Sequence, residues 1–450
     1  MSNIRIREVR VSFEEFAYRA PMKFRATVVD RVTILNVTMD GEVGGRVAQG
    51  FGSMPLGNVW SFPSARLTFN QTLEAMKQIA LQLPPIIESS GIKAHPIEIN
   101  HLLEPMYLRM VSAFDLPEPV PPLCTLVVAS AFDAAIHDAY GKAHSRSAYR
   151  TYGSDFMNYD LSHYLDDRFC GEYVDHYTSS DAAPSLHLYH LVGALDPLTE
   201  GDITERLNDG LPETLEEWVR AEGIDHIKIK LDGDNLDWDV ERILSVHRVL
   251  QNLRPGADLH YSLDFNERCQ SVDYVLECLA SVWEAAPGAL SLIRYIEQPT
   301  PRDLYAPGTP VMYKAAKVKP VVIDESLTDY ASLLRARELG YSGVALKACK
   351  GQSNALLMAA AAQKFGMFLC VQDLTCPGAS LLQSAGLAAH IPPISAIESN
   401  ARQYVPAANR SWESRFPGFF HVANGRLDTS HLDGPGLGIV PAVNAQLLRA

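Results

Sequence analysis

Apolar and polar positions alternate along the first 60 residues in two runs, IREVRVSF and VTILNVTMDGEVGGRVAQGFG, and a period of two marks strands with one buried face. The pair Asp40-Gly41 splits the second run, so the pattern predicts a small antiparallel sheet with a hairpin turn at that pair. Over 66–89 and 95–113 the apolar positions move to spacings of three and four, as in LEAMKQIALQL and INHLLEPMYLRMVSAF, which predicts two helices. The proline-rich DLPEPVPPL at 115–123 predicts a linker and a domain boundary.

Beyond the linker VVASAFDAAIHDAYGKA reads as a helix, while the aromatic segment 151–184 has no period that assigns it. From 186 onward short apolar runs alternate with amphipathic ones. LHLYHLVG, HIKIK, LHYSLDF, LSLIRYIE, PVVIDE, GVALK, MFLCVQ and ISAIES are eight strand candidates, joined by helical stretches such as LDWDVERILSVHRVL. Eight strands with helical crossovers predict a closed parallel α/β barrel of the TIM type rather than an open sheet. NARQYVPAANRSWESRFPGFF follows the last run without a helical period, so the eighth strand is expected to lack its helix. The expected organisation is an N-terminal α+β domain at 1–122, a (β/α)7β barrel at 123–405 and a segment at 406–450 that returns to the first domain.

A chain of 450 residues with 47% hydrophobic content can bury a large core, and a net charge of −14 disfavours a nucleic acid or an anionic membrane as partner. The charged stretch MSNIRIREVRVSFEEF lacks the apolar run of a secretory signal. No stretch reads as approaching the roughly 20 apolar residues of a membrane span, and a cytoplasmic location is expected. Seven cysteines without framework spacing read as reduced thiols.

HIKIK sets Lys228 and Lys230 two residues apart between isoleucines. Side chains of a strand alternate faces, so the two ammonium groups share one face about 7 Å apart. Barrel enzymes carry their chemistry at the C-terminal ends of the strands. The ends here are Asp264 with Asn266 two residues on, Glu297, Asp324 beside Glu325, Lys347, Gln372 with Asp373, and Glu398. Asp264, Glu297 and Asp324 come from adjacent strands; three such carboxylates repel one another without a cation, and an all-oxygen site of this kind suits Mg2+. Lysines on the second and sixth strands stand on opposite sides of a substrate held there. A lysine near another ammonium and a cation has its neutral form favoured and can serve as a base. Lys350, three residues past Lys347, reads as a solvated loop lysine.

Lys-x-Lys on one strand, then Asp, Glu and Asp on the next three and Lys on the sixth, resembles the enolase superfamily in its muconate lactonizing enzyme subgroup, over most of the chain. The resemblance implies a modified (β/α)7β barrel with an N-terminal capping domain, and Mg2+ held by Asp264, Glu297 and Asp324. It also implies abstraction of a proton α to a carboxylate through a metal-stabilised enediolate. Lys230 and Lys347 match the acid/base pair on opposite faces of the substrate, and Lys228 matches a lysine that assists. A small-molecule carboxylate substrate and a homo-oligomer are implied as well. Loops resembling YRAPMKFRATVV (18–29) and FGSMPLGNVW (51–60) are expected to close over the substrate, with Lys23 and Arg25 as candidates for a distal anion. Asn266, Asp373 and Glu398 are further candidates for substrate contact, and His187 with Tyr189 either line the pocket or belong to the core.

The sequence also departs from the subgroup. Dipeptide epimerases carry Asp-x-Asp on the last strand, where Glu398-Ser399-Asn400 stands here, which weakens a dipeptide assignment. No histidine ends the seventh strand, since His390 lies past the following helix, and histidine-based chemistry is disfavoured. The expected reaction is a racemisation or epimerisation. A lyase (acid-sugar dehydratase or synthase-type β-elimination), a cycloisomerase and a noncatalytic barrel protein are the alternatives, the last disfavoured by retention of all six motif residues.

Overall fold

Strands β1 (Ile4–Phe24), β2 (Thr27–Val43) and β3 (Arg46–Pro55) form an antiparallel sheet with the short β4 (Lys93–Ala94), in the order β3-β2-β1-β4. The computed structural model describes residues 3–24 and 27–439. The hairpin does not turn at Asp40-Gly41 as the pattern predicted; β2 runs on to Val43 and the chain reverses at Gly44-Gly45. Both glycines have positive φ, 57° and 85°, which a two-residue turn matched to the twist of a sheet requires. Asp40 stays in the ladder, with Arg10 at 3.2 Å and Gln49 at 3.1 Å, and a Cβ at Gly41 would overlap Ile4.

Helices α1 (Phe69–Ser90) and α2 (Pro96–Ser112) form where the spacing predicted them, α1 opening on a capping box of Thr68 and Gln71. After the proline-rich linker α3 (Pro122–Ala143) packs on β2 and β3. Gly50 and Gly52 allow that approach, because a Cβ at either would overlap the Ala135 or Ala131 carbonyl. By length and composition α3 could cross a membrane, contrary to the sequence reading, with a mean hydropathy of 1.2 over its apolar window. That window is 94% buried inside the protein, as expected of a core helix with no wet face.

The unassigned segment 151–184 is a chain of tight turns, including Leu161–His163, Asp167–Phe169 and Val174–His176, that bury Tyr152, Phe169 and Val174. Asp160 and Asp166 hold two of these turns through side-chain oxygens, and such local bonds leave no period in a sequence.

Strands β5 (Ser185–Val192), β6 (His226–Lys230), β7 (His260–Asp264), β8 (Ile293–Glu297), β9 (Val321–Ile323), β10 (Gly343–Leu346), β11 (Phe368–Val371) and β12 (Ala396–Glu398) pair in parallel in sequence order. Pairing of β12 with β5 closes them into the expected barrel. β8 starts later than LSLIRYIE suggested, because Pro287–Leu292 is a helical turn. Short turns such as Ala401–Tyr404 and Pro417–Phe420 follow β12 in place of a full eighth helix. β13 (Arg426–Asp428) then pairs antiparallel with the start of β5, and Leu437 donates to Asp138 of α3 at 3.0 Å. Tyr189, Tyr295, Val322, Ala345 and Cys370 fill the barrel interior.

The core holds neutral histidines. His95 precedes α2, with Nδ1 accepting from the Ile97 amide at 3.3 Å and Nε2 facing the Thr151 carbonyl at 3.0 Å, so the uncharged ring satisfies both partners. Burial holds its pKa down to about 3, and burial followed by Arg402 lowers that of His190. Because these folded values lie below the unfolded one, the stability is full above about pH 6.5 and falls at lower pH, by about 1.4 kcal/mol per pH unit per group. We expect a lower urea midpoint at pH 5 than at pH 7, with the difference shrinking in His95→Asn. Equal midpoints at the two pH values would contradict this.

Candidate active site

The strand register places Lys230 beside Asp264 and Asp264 beside Glu297, one row across β6, β7 and β8 at the C-terminal mouth. Asp324 follows the last residue of β9 and Lys347 the last residue of β10. β6 and β10 lie four strands apart in a closed ring of eight, so Lys228 and Lys230 face Lys347 across the mouth. Buried Lys228 Nζ stands 3.1 Å from Asp264 Oδ2, 2.7 Å from Glu297 Oε2 and 2.9 Å from Glu398 Oε2. Lys230 Nζ binds Asp264 Oδ2 and, at 3.0 Å, Asn266 Oδ1, while the Asn266 amide donates to Asp264 Oδ1 at 2.9 Å. Lys347 Nζ lies 2.9 Å from Asp324 Oδ2 and 3.4 Å from the Asp373 carbonyl. The six motif residues, Asn266 and Glu398 thus come together, and Asp373 lines the same cavity.

Other expectations change. Lys350 is 3% exposed, not solvated, and donates to the carbonyl and to Oδ1 of Asp324, the latter at 3.2 Å. Ala348–Lys350 is a 3-10 turn, in which positions three apart eclipse, so Lys350 returns to the side of Lys347. Lys23 sits at the cavity rim, 3.4 Å from Asp232; Arg25 lies outside the described residues. His187 and Tyr189 lie away from the cavity. His187 shares Asp225 Oδ1 with His226 at the barrel base, at 3.3 and 2.6 Å, and Tyr189 joins the interior layer. That base cluster offers nitrogen as well as oxygen, a poorer match to Mg2+ than the carboxylates of the mouth.

The N-terminal domain roofs the mouth. Within 51–60, residues up to Pro55 belong to β3 and Asn58–Ser61 is a helical turn. Trp60 donates its indole N–H to Glu325 at 2.9 Å, and its ring centre lies 4.7 Å from Lys347 Nζ. Arg302 bonds the Trp60 carbonyl at 2.9 Å and pairs with Glu267 at 2.7 Å, tying the roof to the barrel. Trp60 does not stand out by spacing or charge pattern, because its meeting with Glu325 depends on how the domains pack. Between roof and barrel is a cavity whose floor includes Lys228, Lys230, Glu297, Asp324 and Lys347.

Burial would lower the Lys228 pKa, but Glu297, Glu398 and Asp264 outweigh it and hold it well above the lysine range. Lys347 is raised as well, burial being outweighed by Asp324. Among the protein's own groups, then, carboxylates outweigh both burial and the neighbouring ammonium groups at Lys228 and Lys347. Burial and then Asp264 and Asp324 push Glu297 well above the carboxylate range, whereas Asp324, despite its burial, is held at about 2 by Lys347 and Lys350. Three buried carboxylates side by side, one driven toward its neutral form by the other two, are what a divalent cation relieves. The all-oxygen set fits Mg2+.

A sequence profile of the family described as Enolase C-terminal domain-like matches residues 210–445. Curated proteins contain no sequence match. Among solved structures, a dipeptide epimerase from Enterococcus faecalis V583, complexed with Mg and L-Leu-L-Tyr, is 17% identical with a TM-score of 0.63, over 97% of this chain and 100% of that one. A muconate lactonizing enzyme from Pseudomonas fluorescens, complexed with muconolactone, is 15% identical with a TM-score of 0.63, covering 99% and 98% of the two chains. An enolase from Bradyrhizobium, complexed with magnesium and mandelic acid, is 14% identical with a TM-score of 0.62, covering 100% and 99%. At these identities the likeness establishes a shared fold. With the profile spanning more than half of its length, the chain belongs to the Enolase C-terminal domain-like family, within the enolase superfamily.

Proposed function

We propose that this protein removes the proton α to a carboxylate and returns one on the opposite face, as a racemase or epimerase. The observation that carries the reading is the placement of Lys230 and Lys347 on opposite sides of the mouth, with Asp264, Glu297 and Asp324 along the arc between them. Mg2+ held by those three carboxylates would supply positive charge to the substrate carboxylate as the α-proton leaves. One lysine accepts the proton at Nζ in its neutral form, which would become accessible once the carboxylate that pairs with it here, Asp264 for Lys230 or Asp324 for Lys347, is engaged by the cation instead. The other, as an ammonium, delivers one to the far face. Lys228, fixed among Asp264, Glu297 and Glu398, contributes a stationary charge beside the substrate oxygens. Trp60 covers Lys347 and keeps bulk water from it.

The family supports the reading, and so do neighbours complexed with carboxylates beside magnesium, L-Leu-L-Tyr in one and mandelic acid in another. In D2O with Mg2+, N-acyl amino acids, dipeptides and 2-hydroxy acids form the panel in which deuterium is expected at the α-carbon of both recovered substrate and product. Product formed without α-deuterium would sink the proposal.

A further inference from the structure

The two halves of the cavity differ in chemistry. The barrel floor is dominated by charge, whereas the roof presents Met22, Val29, Val32, Leu56, Phe69 and Leu73. The roof also has polar members, and those among the described residues make contacts elsewhere. Asn58 donates to the Phe69 carbonyl and to Thr72, both at 2.9 Å, and Thr33 reaches Glu15 at 3.4 Å. Tyr18 pairs with Thr375. Of the two cations among the described residues of the roof, Lys23 pairs with Asp232 at 3.4 Å, and Arg31 donates to Asn70 at 2.7 Å while lying 4.7 Å over the Phe69 ring.

Resting on the proton-transfer reading, which places the substrate carboxylate at the charged floor, we propose that the group attached to that carboxylate is a bulky hydrocarbon substituent, aliphatic or aromatic, and that polyhydroxy acids are rejected. The physical argument is one of matched surfaces. A hydrocarbon arm directed at the roof trades water for apolar contact over the whole wall. A sugar acid of similar length loses water from several hydroxyls against side chains that cannot hydrogen-bond, and each hydroxyl left without a partner weakens binding roughly tenfold. A site with free donors and acceptors along this wall would reverse the preference. The division into a charged floor and an apolar roof thereby selects among carboxylates that are equally acceptable to the lysines and carboxylates below.

The test uses the full-length chain with Mg2+, titrated by calorimetry with N-acetyl-L-phenylalanine and with D-gluconate. N-acetyl-L-phenylalanine is expected to bind at least about tenfold more tightly. Leu73→Gln and the isosteric Val32→Thr, which preserves wall volume, are each expected to shrink that ratio, the latter by about fivefold. Gluconate binding as tightly as the phenylalanine derivative overturns the inference, even where α-deuteration upholds the proton-transfer reading, and so does binding of neither compound. Tight N-acetyl-L-phenylalanine binding with no α-deuteration in D2O has the opposite meaning: the inference stands and the proton-transfer reading falls. An unchanged ratio in both variants overturns the inference, because the roof would then not be the selecting surface.

Discussion

Lys230→Met and Lys347→Met are each expected to stop interconversion of the two substrate configurations, lowering it by about 10³-fold, while leaving proton exchange on one face intact. The expectation follows from the barrel's topology. β6 and β10 stand four strands apart in a ring of eight, so no single lysine serves both faces of a substrate lying between them. In Lys230→Met the configuration whose α-hydrogen faces Lys347 still exchanges with solvent, and the other does not; in Lys347→Met the pattern inverts. Methionine keeps most of the stem, and in Lys230→Met the Asp264 carboxylate retains Lys228 at 3.1 Å and the Asn266 amide at 2.9 Å, so the floor keeps its shape. The readout is α-deuteration followed separately from each configuration by NMR. A merely structural loss would slow both faces alike. Interconversion at the wild-type rate in both variants would remove the pair from the mechanism.

The parts of this site legible in the sequence share one property: each is local to a strand. The alternation of HIKIK assigns Lys228 and Lys230 to one face, and charges that end apolar runs mark Asp264, Glu297, Asp324, Lys347 and Glu398, because barrel strands are short and the charge falls at the mouth. Eight such runs were enough to choose a closed barrel. What the pattern misses depends on contacts or turns with no period. Lys350 reads as loop because a single 3-10 turn leaves no amphipathic trace, yet that turn brings it to Asp324. Trp60 and Glu325 lie 265 positions apart and meet only through domain packing. Asp40-Gly41 carries the composition of a turn, but Gly41 is there to clear Ile4, and the reversal falls to Gly44-Gly45. Nor does a list of strand ends show that Lys228 is shared by three carboxylates.

Glu297→Gln is expected to weaken Mg2+ binding by at least about 10²-fold, more than the 10- to 100-fold typical of losing a supporting group, because the proposed site would lose a direct oxygen ligand. Glu297 stands in the middle of the trio, beside Asp264 in register and close enough to Asp324 for both to raise its pKa after burial. Gln372 donates to its Oε2 at 2.5 Å and Lys228 to its Oε1 at 3.0 Å, so a glutamine amide must turn its NH2 toward one of these donors. The raised pKa adds a second observable whose sign is fixed. A group held above its usual range takes up protons at higher pH than an ordinary carboxylate and a cation competes with them, so Mg2+ binding to the wild-type protein is expected to tighten as pH rises, with proton release on the acid side. Glu297→Gln has no such proton to lose. Calorimetry in two buffers of different ionisation enthalpy measures the release directly, alongside the affinity. Wild-type affinity in Asp264→Asn, Glu297→Gln and Asp324→Asn alike would place the cation elsewhere. Weakened binding in Glu297→Gln with undiminished proton release would assign the proton to another group and leave Glu297 as a ligand that is already ionised.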